Sequence, residues 1–394
     1  MYIIIDYNYN EMSSVVIKKV ANKKELKAFV RFNYHLYKDC PFAVPDLLED
    51  TLDTFNPKKN PAFEFCEADF FLAYRDNKIV GRIATLINHK ANATWNVKNA
   101  RFGWIDFIDD LEVSKALLET AEEWGREHGM DKLVGPLGFT DMDPEGMLTG
   151  GYDQLSTMAT IYNYPYYPVH MDKHGYTKEV DWVERKVSIP EKGHEEKMQK
   201  YFRVAEMSAK RYNLHVKKFK SVREIRKGHY AKQIFDVVNK AYANLYGYSE
   251  MNEAQINQYV NVYLPLIDLR FLTTVETADG KIIAMGVGMP SLSHAIQKAK
   301  ARIFPFGWFH LAKALFFKHS DIIDLLLVAV LPEYQNKGVN AMLFADLIPI
   351  SKEMGFKFGE THPQLETNDK SQGQWAYLDA VVHKQRRCFQ KKLK

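Results

Sequence analysis

The segment Val328-Ala329-Val330-Leu331-Pro332-Glu333-Tyr334-Gln335-Asn336-Lys337-Gly338 decides the fold. It starts in an apolar run, Ile322–Val330, whose length suits a buried strand, and a helix is predicted after Gly338. A loop that enters a helix aims free backbone N–H groups outward, where the helix macrodipole favours anions. Gly338 permits a close approach that a side chain would block, and Lys337 adds a positive charge. The segment therefore predicts a loop that binds a diphosphate.

The strands predicted around this loop recur in the same order in the first half of the chain. The first half has Val15–Val20, Asp69–Tyr74, Lys78–Asn88, Phe102–Ile108, Lys132–Gly135 and strand-like sequence over Gly175–Pro190. The second half has Leu214–Phe219, Phe271–Glu276, Lys281–Met289, Ile322–Val330 and Lys357–Thr361, then a predicted helix, Lys370–Val381, and a last strand, Lys384–Gln390. The sequence thus predicts one α+β plan used twice, in domains 1–195 and 196–394, with a boundary near Pro190–Lys200.

The loop resembles the acyl-donor motif of the GNAT superfamily of N-acyltransferases. That motif is Gln/Arg-x-x-Gly-x-Gly/Ala and follows a strand that ends in Val-x-Pro-x-Tyr. This chain has Gln335-x-x-Gly338-x-Asn340 after Val330-x-Pro332-x-Tyr334, so the match holds through Gly338 and departs at Asn340. The first half resembles the same fold. Its Tyr162–Tyr167 and Gly175-Tyr176 are similar to a pattern of bacterial two-domain members, which are mostly uncharacterised or linked to lipid acylation.

The resemblance implies two mixed-sheet domains of this superfamily in tandem, with a helical insertion in the second. It also implies an acyl thioester as co-substrate: acetyl-CoA, a longer acyl-CoA, or an acyl group on an acyl-carrier protein. The donor contacts that it implies are Val328, Val330, Gln335, Asn336, Lys337, Gly338, Val339, Asn340 and Asn368. A second departure is Pro349, which should kink or break the helix that follows the loop.

The corresponding loop of the first half is acidic. It reads Asp106-Phe107-Ile108-Asp109-Asp110-Leu111-Glu112, without a glycine or a basic residue. Carboxylates at a helix start satisfy the free N–H groups themselves and repel a phosphate. We therefore expect the first half to have a degenerate donor loop and to serve as structure, or to shape a pocket for the acceptor.

Acyl transfer to an amine needs a group that takes the amine proton and an acid for the departing thiolate. The resemblance implies that Tyr377, on the segment after the fifth strand, is the acid; core packing is the alternative. For the base the sequence offers Glu360 and His362, whose spacing puts both on one face of an extended segment, and Asp324, a carboxylate inside an apolar strand. Each of these three also has a purely structural interpretation.

An aromatic and basic insertion, Pro290–Ser320, occupies the place of a connection between strands. Leu292, Ile296, Ala299 and Ile303 form one helical stripe, and Trp308, Phe309, Leu311, Ala312, Leu315 and Phe316 form a second. Lys298, Lys300, Arg302, Lys313 and Lys318 are interspersed. This composition suits an interfacial helix pair that contacts a membrane, or the wall of a tunnel for an acyl chain. The alternative is a helical hairpin packed on the domain with a solvated basic rim.

Bulk properties exclude several classes of protein. A net charge of +4 and the absence of a nucleic-acid motif do not favour nucleic acid as a partner. The cysteines Cys40, Cys66 and Cys388 are too far apart for a metal-ligand pattern or a disulfide framework, and no metal is expected. The first ten residues lack the pattern of a signal peptide. We expect a cytoplasmic protein, with peripheral contact to a membrane as an open alternative.

Three functions follow from these observations. The leading hypothesis is an acyl-thioester-dependent N-acyltransferase whose acceptor is an amine, preferably an amino-lipid. The second is a non-catalytic module that binds acyl-CoA or lipid at a degenerate site. The third is a membrane-peripheral interaction protein that uses no acyl donor.

Overall fold

A computed structural model of the protein describes residues 13–190, 196–368 and 373–394. The helices in these residues are α1 (Lys23–Leu36), α2 (Leu48–Thr54), α3 (His89–Trp95), α4 (Leu111–Glu127), α5 (Tyr166–Lys173), α6 (Glu196–Tyr212), α7 (Val222–Lys227), α8 (Tyr230–Tyr242), α9 (Glu253–Val262), α10 (Ser293–Ala299), α11 (Gly307–Phe316) and α12 (Val339–Glu353). The strands are β1 (Val16–Lys19), β2 (Cys66–Arg75), β3 (Lys78–Asn88), β4 (Asn99–Phe107), β5 (Lys132–Gly135), β6 (Met147–Gly150), β7 (Thr177–Ser188), β8 (Leu214–Lys217), β9 (Leu272–Thr277), β10 (Ile282–Pro290), β11 (Ile322–Val330), β12 (Phe358–Thr361), β13 (Gln364–Leu365) and β14 (Ala380–Lys392).

Several of these helices start at a polar residue whose side chain caps the helix N-terminus. The Asn22 side chain accepts backbone N–H bonds at the start of α1, as its position in the sequence predicts. Asn252 and Gln255 form a reciprocal capping box at the start of α9. Local polar residues therefore fix the starting points of these helices.

All the strands join one mixed sheet. Its order is β1-β2-β3-β4-β5-β14-β7-β12-β11-β10-β9-β8, with β6 paired to β14 and β13 paired to β7. Only β4 with β5 and β11 with β12 pair in parallel, and the other neighbours are antiparallel. The predicted α+β class with two mixed-sheet halves is therefore confirmed.

The two halves exchange their last strands. β14, at the end of the chain, lies between β5 and β7 of the first half, with Phe389 opposite Gly135 and Cys388 opposite Val180. On its other side β7 pairs with β12 of the second half, where Val187 lies opposite Gly359. The division into 1–195 and 196–394 remains our proposal, and residues from both sides of it build the central strands.

β11 and β12 are paired at only one end. Their parallel register runs from Ile322 opposite Phe358 to Leu325 opposite Thr361 and stops there. β11 continues to Val330 with β10 as its partner on one side. One edge of its last residues therefore faces an open wedge with no described strand beside it, where the Val328 and Val330 carbonyl oxygens accept bonds from the Tyr242 and Gln335 side chains.

In the second half, the predicted helix Lys370–Val381 and the predicted break at Pro349 are wrong, whereas a kink at Pro349 stays a prediction. The predicted helix Lys370–Val381 is, over its described residues, a short 3-10 helix at Gln374–Tyr377 and the start of β14. The chain must be extended there because Ala380 already pairs with Val187. Pro349 does not end α12, which continues to Glu353. Pro349 lies near the end of α12, so the one backbone hydrogen bond that it cannot donate is followed by only a few helical residues.

Candidate active site

The loop before α12 has the backbone shape that its sequence predicts. A 3-10 turn, Pro332–Tyr334, ends β11, and the Gln335 side-chain amide donates to the Val330 carbonyl oxygen at 3.1 Å. Asn336 and Gly338 both adopt left-handed backbone angles, with φ of 61° and 79°. Gly338 is the residue before α12, and no side chain caps the helix there. The first N–H groups of α12 therefore have no side-chain cap.

Helix α6, which the sequence analysis missed, supports this loop from behind. The Ser208 hydroxyl donates to the Lys337 carbonyl oxygen at 2.7 Å. A Cβ atom added to Gly338 would lie 2.9 Å from the Val204 side chain, so glycine is required by packing as well as by φ. The Lys337 ammonium lies 5.1 Å from the centroid of the Tyr212 ring. These contacts fix the loop before any ligand binds.

Asn340, where the motif departs from the superfamily pattern, has a structural partner. Its side-chain amide donates to the Gln374 side-chain oxygen at 3.2 Å. Gln374 begins the 3-10 helix that precedes β14. The larger side chain therefore links α12 to the neighbouring segment.

A cavity of about 1100 Å³ opens in front of the loop and is lined by both halves of the chain. Six of the predicted donor contacts line it: Val328, Val330, Gln335, Asn336, Asn340 and Asn368. Lys337, Gly338 and Val339 do not line it, and Lys337 and Gly338 contact α6. The volume is at the upper end of the range for small-molecule sites, which gives room for the reacting ends of two ligands.

His362 is the predicted base that lines this cavity. It follows Thr361, the last residue of β12, at the point where β11 and β12 separate. Burial lowers the pKa of His362 to about 4, although the carboxylates of Glu184 and Glu360 oppose this shift. Its Nε2 atom is buried and has no hydrogen-bond partner among the described residues. The imidazole is therefore neutral at pH 7 and has a free nitrogen.

Glu360 does not line the cavity, because it takes part in a buried ion network behind His362. Lys384 contacts Glu360 and lies 3.2 Å from Glu184, and Arg386 contacts Glu184. Burial would raise the pKa of Glu360, but His383 and Lys384 outweigh it and hold this pKa below its usual value. A carboxylate that is ion-paired with Lys384 and lies outside the cavity is badly placed to take the proton of an amine.

Asp324 also lies outside the cavity wall, on β11 beside the ion network. Its side chain is fully buried, and neither carboxylate oxygen has a hydrogen-bond partner at bonding distance among the described residues. Burial, together with the nearby Glu360 carboxylate, raises the pKa of Asp324 to about 8. Asp324 is therefore protonated at neutral pH.

This protonation gives a test in the pH dependence of stability. Unfolded Asp324 ionises above about pH 4, whereas folded Asp324 stays protonated up to about pH 8. Between these values the wild type loses about 1.4 kcal/mol of unfolding free energy per pH unit through this group. The unfolding free energy of Asp324→Asn lacks this loss. Its difference from the wild type, measured by urea unfolding, is therefore expected to shift in favour of the variant by about 1.4 kcal/mol per pH unit between pH 5 and 7. A difference that does not change with pH would contradict a protonated Asp324.

Five carboxylates of the first half line the same cavity, and the sequence analysis did not find them. They are Asp46, Asp50, Asp141, Asp143 and Glu145. Burial raises the pKa of Asp141 to about 7 and that of Asp143 to about 6. Lys240 is the only lysine or arginine in the described wall. The acidic run Asp141-Met142-Asp143-Pro144-Glu145 could have drawn attention to these carboxylates, but a sequence run alone does not show which cavity its side chains line.

The side chain of Tyr377, the predicted acid, lies outside the described residues. Its backbone belongs to the 3-10 helix Gln374–Tyr377. The side chains of Gln374 and Trp375 in the same helix line the cavity. The assignment of Tyr377 stays a prediction.

The acidic loop of the first half satisfies its own helix. The Asp110 side chain accepts the backbone N–H bonds of Glu112 and Val113 at the start of α4, and Arg75 pairs with Asp110. The nearby cavity, beside the buried pair of Arg82 and Asp106, holds only about 40 Å³. The N–H groups at the start of α4 are therefore capped by a carboxylate, whereas those at the start of α12 in the second half have no side-chain cap.

One group of side chains has the spacing of a metal site. Glu184, Glu360 and His383 each place a ligand atom within 4.8 Å of the others. Lys384 already contacts both carboxylates and supplies the positive charge that a cation would bring. This arrangement favours an internal ion network over a divalent cation.

Comparison with known proteins decides the fold family. No protein-family model matches the chain. The solved tandem GNAT protein from the clavulanic acid biosynthesis pathway superposes with a TM-score of 0.55, over 97% of this chain and 99% of its own, at 12% identity. The chain has the tandem GNAT fold. A GCN5-related N-acetyltransferase from Sphaerobacter thermophilus, 11% identical, gives a TM-score of 0.51 and covers 96% of each chain.

Two curated bacterial proteins are similar along most of this tandem GNAT chain. Protein YghO of Escherichia coli is 24% identical over 390 residues, which cover 96% of this chain and 95% of the relative. The bacterial ceramide synthase of Caulobacter vibrioides is 26% identical over 353 residues, which cover 89% and 88%. The resemblance to bacterial two-domain GNAT proteins with lipid-linked members is thereby confirmed.

Proposed function

We propose that this protein is an acyl-thioester-dependent N-acyltransferase that acts on an amine with an apolar tail, an amino-lipid. One observation carries the proposal: Gln335, Asn336 and Asn340 of the donor loop line a single cavity together with His362 and the carboxylates of the first half. An acyl donor and an amine that enter this cavity would be held together, which removes much of the entropic cost of their encounter. The expected cytoplasmic location is part of the proposal.

The donor end of the cavity fits a phosphopantetheine thioester. The uncapped N–H groups at the start of α12 suit the phosphates. The edge of β11 at residues 326–330 has no described strand beside it and suits an extended pantetheine arm, which would share or replace the Tyr242 and Gln335 bonds to this edge, with Asn368 as a further contact. Both acyl-CoA and an acylated carrier protein present this arm, so a panel with each donor distinguishes them.

His362 is the base in this proposal. The amine nitrogen attacks the thioester carbonyl carbon, and its proton passes to the His362 imidazole. The carbon–sulfur bond then breaks, and the thiolate leaves and takes up a proton, for which Tyr377 remains the proposed donor. His362 suits the role by its position, because it lines the cavity, whereas Glu360 is ion-paired and lies outside it.

The acceptor class is proposed from the other walls of the cavity. Asp141 and Asp143 line this cavity, and their ionised forms would attract an ammonium. Apolar side chains of β10, α8 and α9 continue from them: Met285, Val287, Met289, Ile234, Phe235, Val238, Tyr259 and Val260. The bacterial ceramide synthase among the relatives, whose name denotes a lipid product, supports an amine that carries an apolar chain.

The carboxylates give a prediction for the acceptor alone. Asp141→Asn with Asp143→Asn is expected to raise KM for a long-chain amine at least about tenfold, because charge-assisted contacts to the ammonium are lost. KM for the acyl donor should change less than twofold. The control, Asp153→Asn with Asp172→Asn, removes two exposed carboxylates of the same half that lie outside the cavity. Equal KM values in both variants would contradict acceptor binding by this group.

Mass spectrometry of the reaction products tests the function. The protein is incubated with palmitoyl-CoA, or with an acylated carrier protein, and with long-chain and short polar amines. We expect an amide only with the long-chain amine. Donor binding without any amide would favour the alternative, a non-catalytic acyl-CoA or lipid-binding module, which the Asn340 departure from the motif favours.

A further inference from the structure

The outer face of the insertion exposes aromatic rings that globular proteins normally bury. The structure has the two predicted helices, α10 and α11, joined by a turn around Pro305. The exposed fractions are 69% for Phe304, 76% for Phe306, 51% for Trp308, 56% for Phe309, 68% for Phe316 and 84% for Phe317. Six large aromatic side chains within fourteen residues form an apolar patch that marks an interaction surface.

The charge of this face has one sign. Residues 290–320 include five lysines and arginines and no aspartate or glutamate. These five, Lys298, Lys300, Arg302, Lys313 and Lys318, are all exposed, and none forms an ion pair with a described carboxylate. Aromatic rings interleaved with unpaired cations match the boundary of an anionic bilayer, where phosphates meet acyl chains.

The inner face of the insertion is part of the cavity wall. Leu292 and Ile296 of this segment are buried against Val44 and Met289, with Leu326 packed beside them. Ile296, Met289 and Leu326 also line the cavity. Ile296 of α10 therefore links the segment that carries the exposed aromatic side chains to the cavity wall.

Hydrogen bonds fix the insertion to the first half of the chain. The Gln297 side chain donates to the carbonyl oxygens of Pro41 and Ala43, at 2.8 and 2.9 Å. The Ser293 hydroxyl donates to the Ser156 carbonyl oxygen at 2.8 Å. This anchoring holds the aromatic face in a fixed orientation, as a docking surface requires.

We propose that the outer face of the insertion docks on an anionic lipid bilayer and so holds the cavity at the membrane surface. The inference deepens the proposed function, on which it rests for the lipid substrate, but docking itself needs no acyl donor. The occupant is a lipid surface because the face pairs aromatic side chains with unopposed positive charge. No helix among the described residues is long and apolar enough to span a bilayer.

Vesicle co-sedimentation of the full chain tests docking. Wild type is expected to bind vesicles with one-third phosphatidylglycerol in phosphatidylcholine at least tenfold better than pure phosphatidylcholine vesicles. Phe306→Ser with Trp308→Ser and Phe317→Ser should reduce this binding at least tenfold. The matched control, Met207→Ser with Val169→Ser and Val381→Ser, changes three exposed apolar side chains elsewhere and should bind as wild type does.

A charge-reversal variant and a fluorescence measurement test the basic residues and the insertion of Trp308 separately. Lys313→Glu with Lys318→Glu should weaken binding to the anionic vesicles only. Brominated acyl chains should quench tryptophan fluorescence in the wild type and less in Trp308→Phe. Failure of folded wild type to bind either vesicle, or equal binding by the aromatic and control variants, would overturn the proposal. Vesicle binding without acyl transfer would leave docking intact and count against the proposed function alone.

Discussion

Gln335→Glu combined with Lys337→Glu is expected to weaken the binding of CoA thioesters at least about 100-fold. The double variant puts two negative charges on the loop whose N–H groups would face the phosphates and removes its only cation. A loss of about 2.7 kcal/mol corresponds to this factor, and two charge-assisted contacts are of that size. Isothermal titration with CoA, acetyl-CoA and palmitoyl-CoA measures it.

Lys352→Glu is the matched control for this experiment. Lys352 lies in the last turn of the same helix, α12, roughly 20 Å from the loop. The control makes a similar change of net charge without altering the loop, so it should bind CoA within about twofold of the wild type. Equal affinities of the loop variant and the wild type would show that this loop does not hold the donor.

His362→Gln is expected to lower kcat for acyl transfer by about 100- to 10,000-fold, the range for loss of a general base. Donor affinity should be kept, because the donor loop is untouched. Since the pKa of His362 is about 4, wild-type kcat should show no loss with a midpoint near pH 6.5. The pH profile and kcat of the two proteins, measured with saturating donor, check both points.

The control for His362 is His383→Gln. His383 lies 3.4 Å from Glu360 in the same ion network but does not line the cavity. The variant removes an imidazole from the ion network without changing the cavity wall. Its kcat should fall less than tenfold. A similar loss of kcat in both variants, with equal melting temperatures, would contradict the role of His362 as base.

Much of the fold follows from local sequence. The bounds predicted for β3, β5 and β11 agree with the structure, and those of β9 and β10 agree within one residue. Apolar runs of strand length between turn residues carry this information. The exchange of β14 and β7 could not be predicted, because strand partners depend on pairing between distant segments.

The candidate site was predictable on its donor side only. The loop of Gln335 and Gly338 is contiguous in sequence, so its residues define one structure together. The pair Glu360 and His362 was expected on one face, but only His362 lines the cavity, because Lys384 and Glu360 pair inside the sheet. Asp141 lies about two hundred residues before the loop, and only the shared sheet of the two halves brings it there.

The position of a bound donor tests the central claim most directly. A crystal structure with a palmitoyl-CoA analogue that replaces the thioester sulfur by methylene would show it. We predict phosphates at the backbone N–H groups of residues 336–340, the pantetheine arm along residues 326–330, and the acyl carbonyl in the cavity near His362. Phosphates bound instead at Asp106–Glu112 in the first half, or an acyl chain outside the shared cavity, would contradict the account.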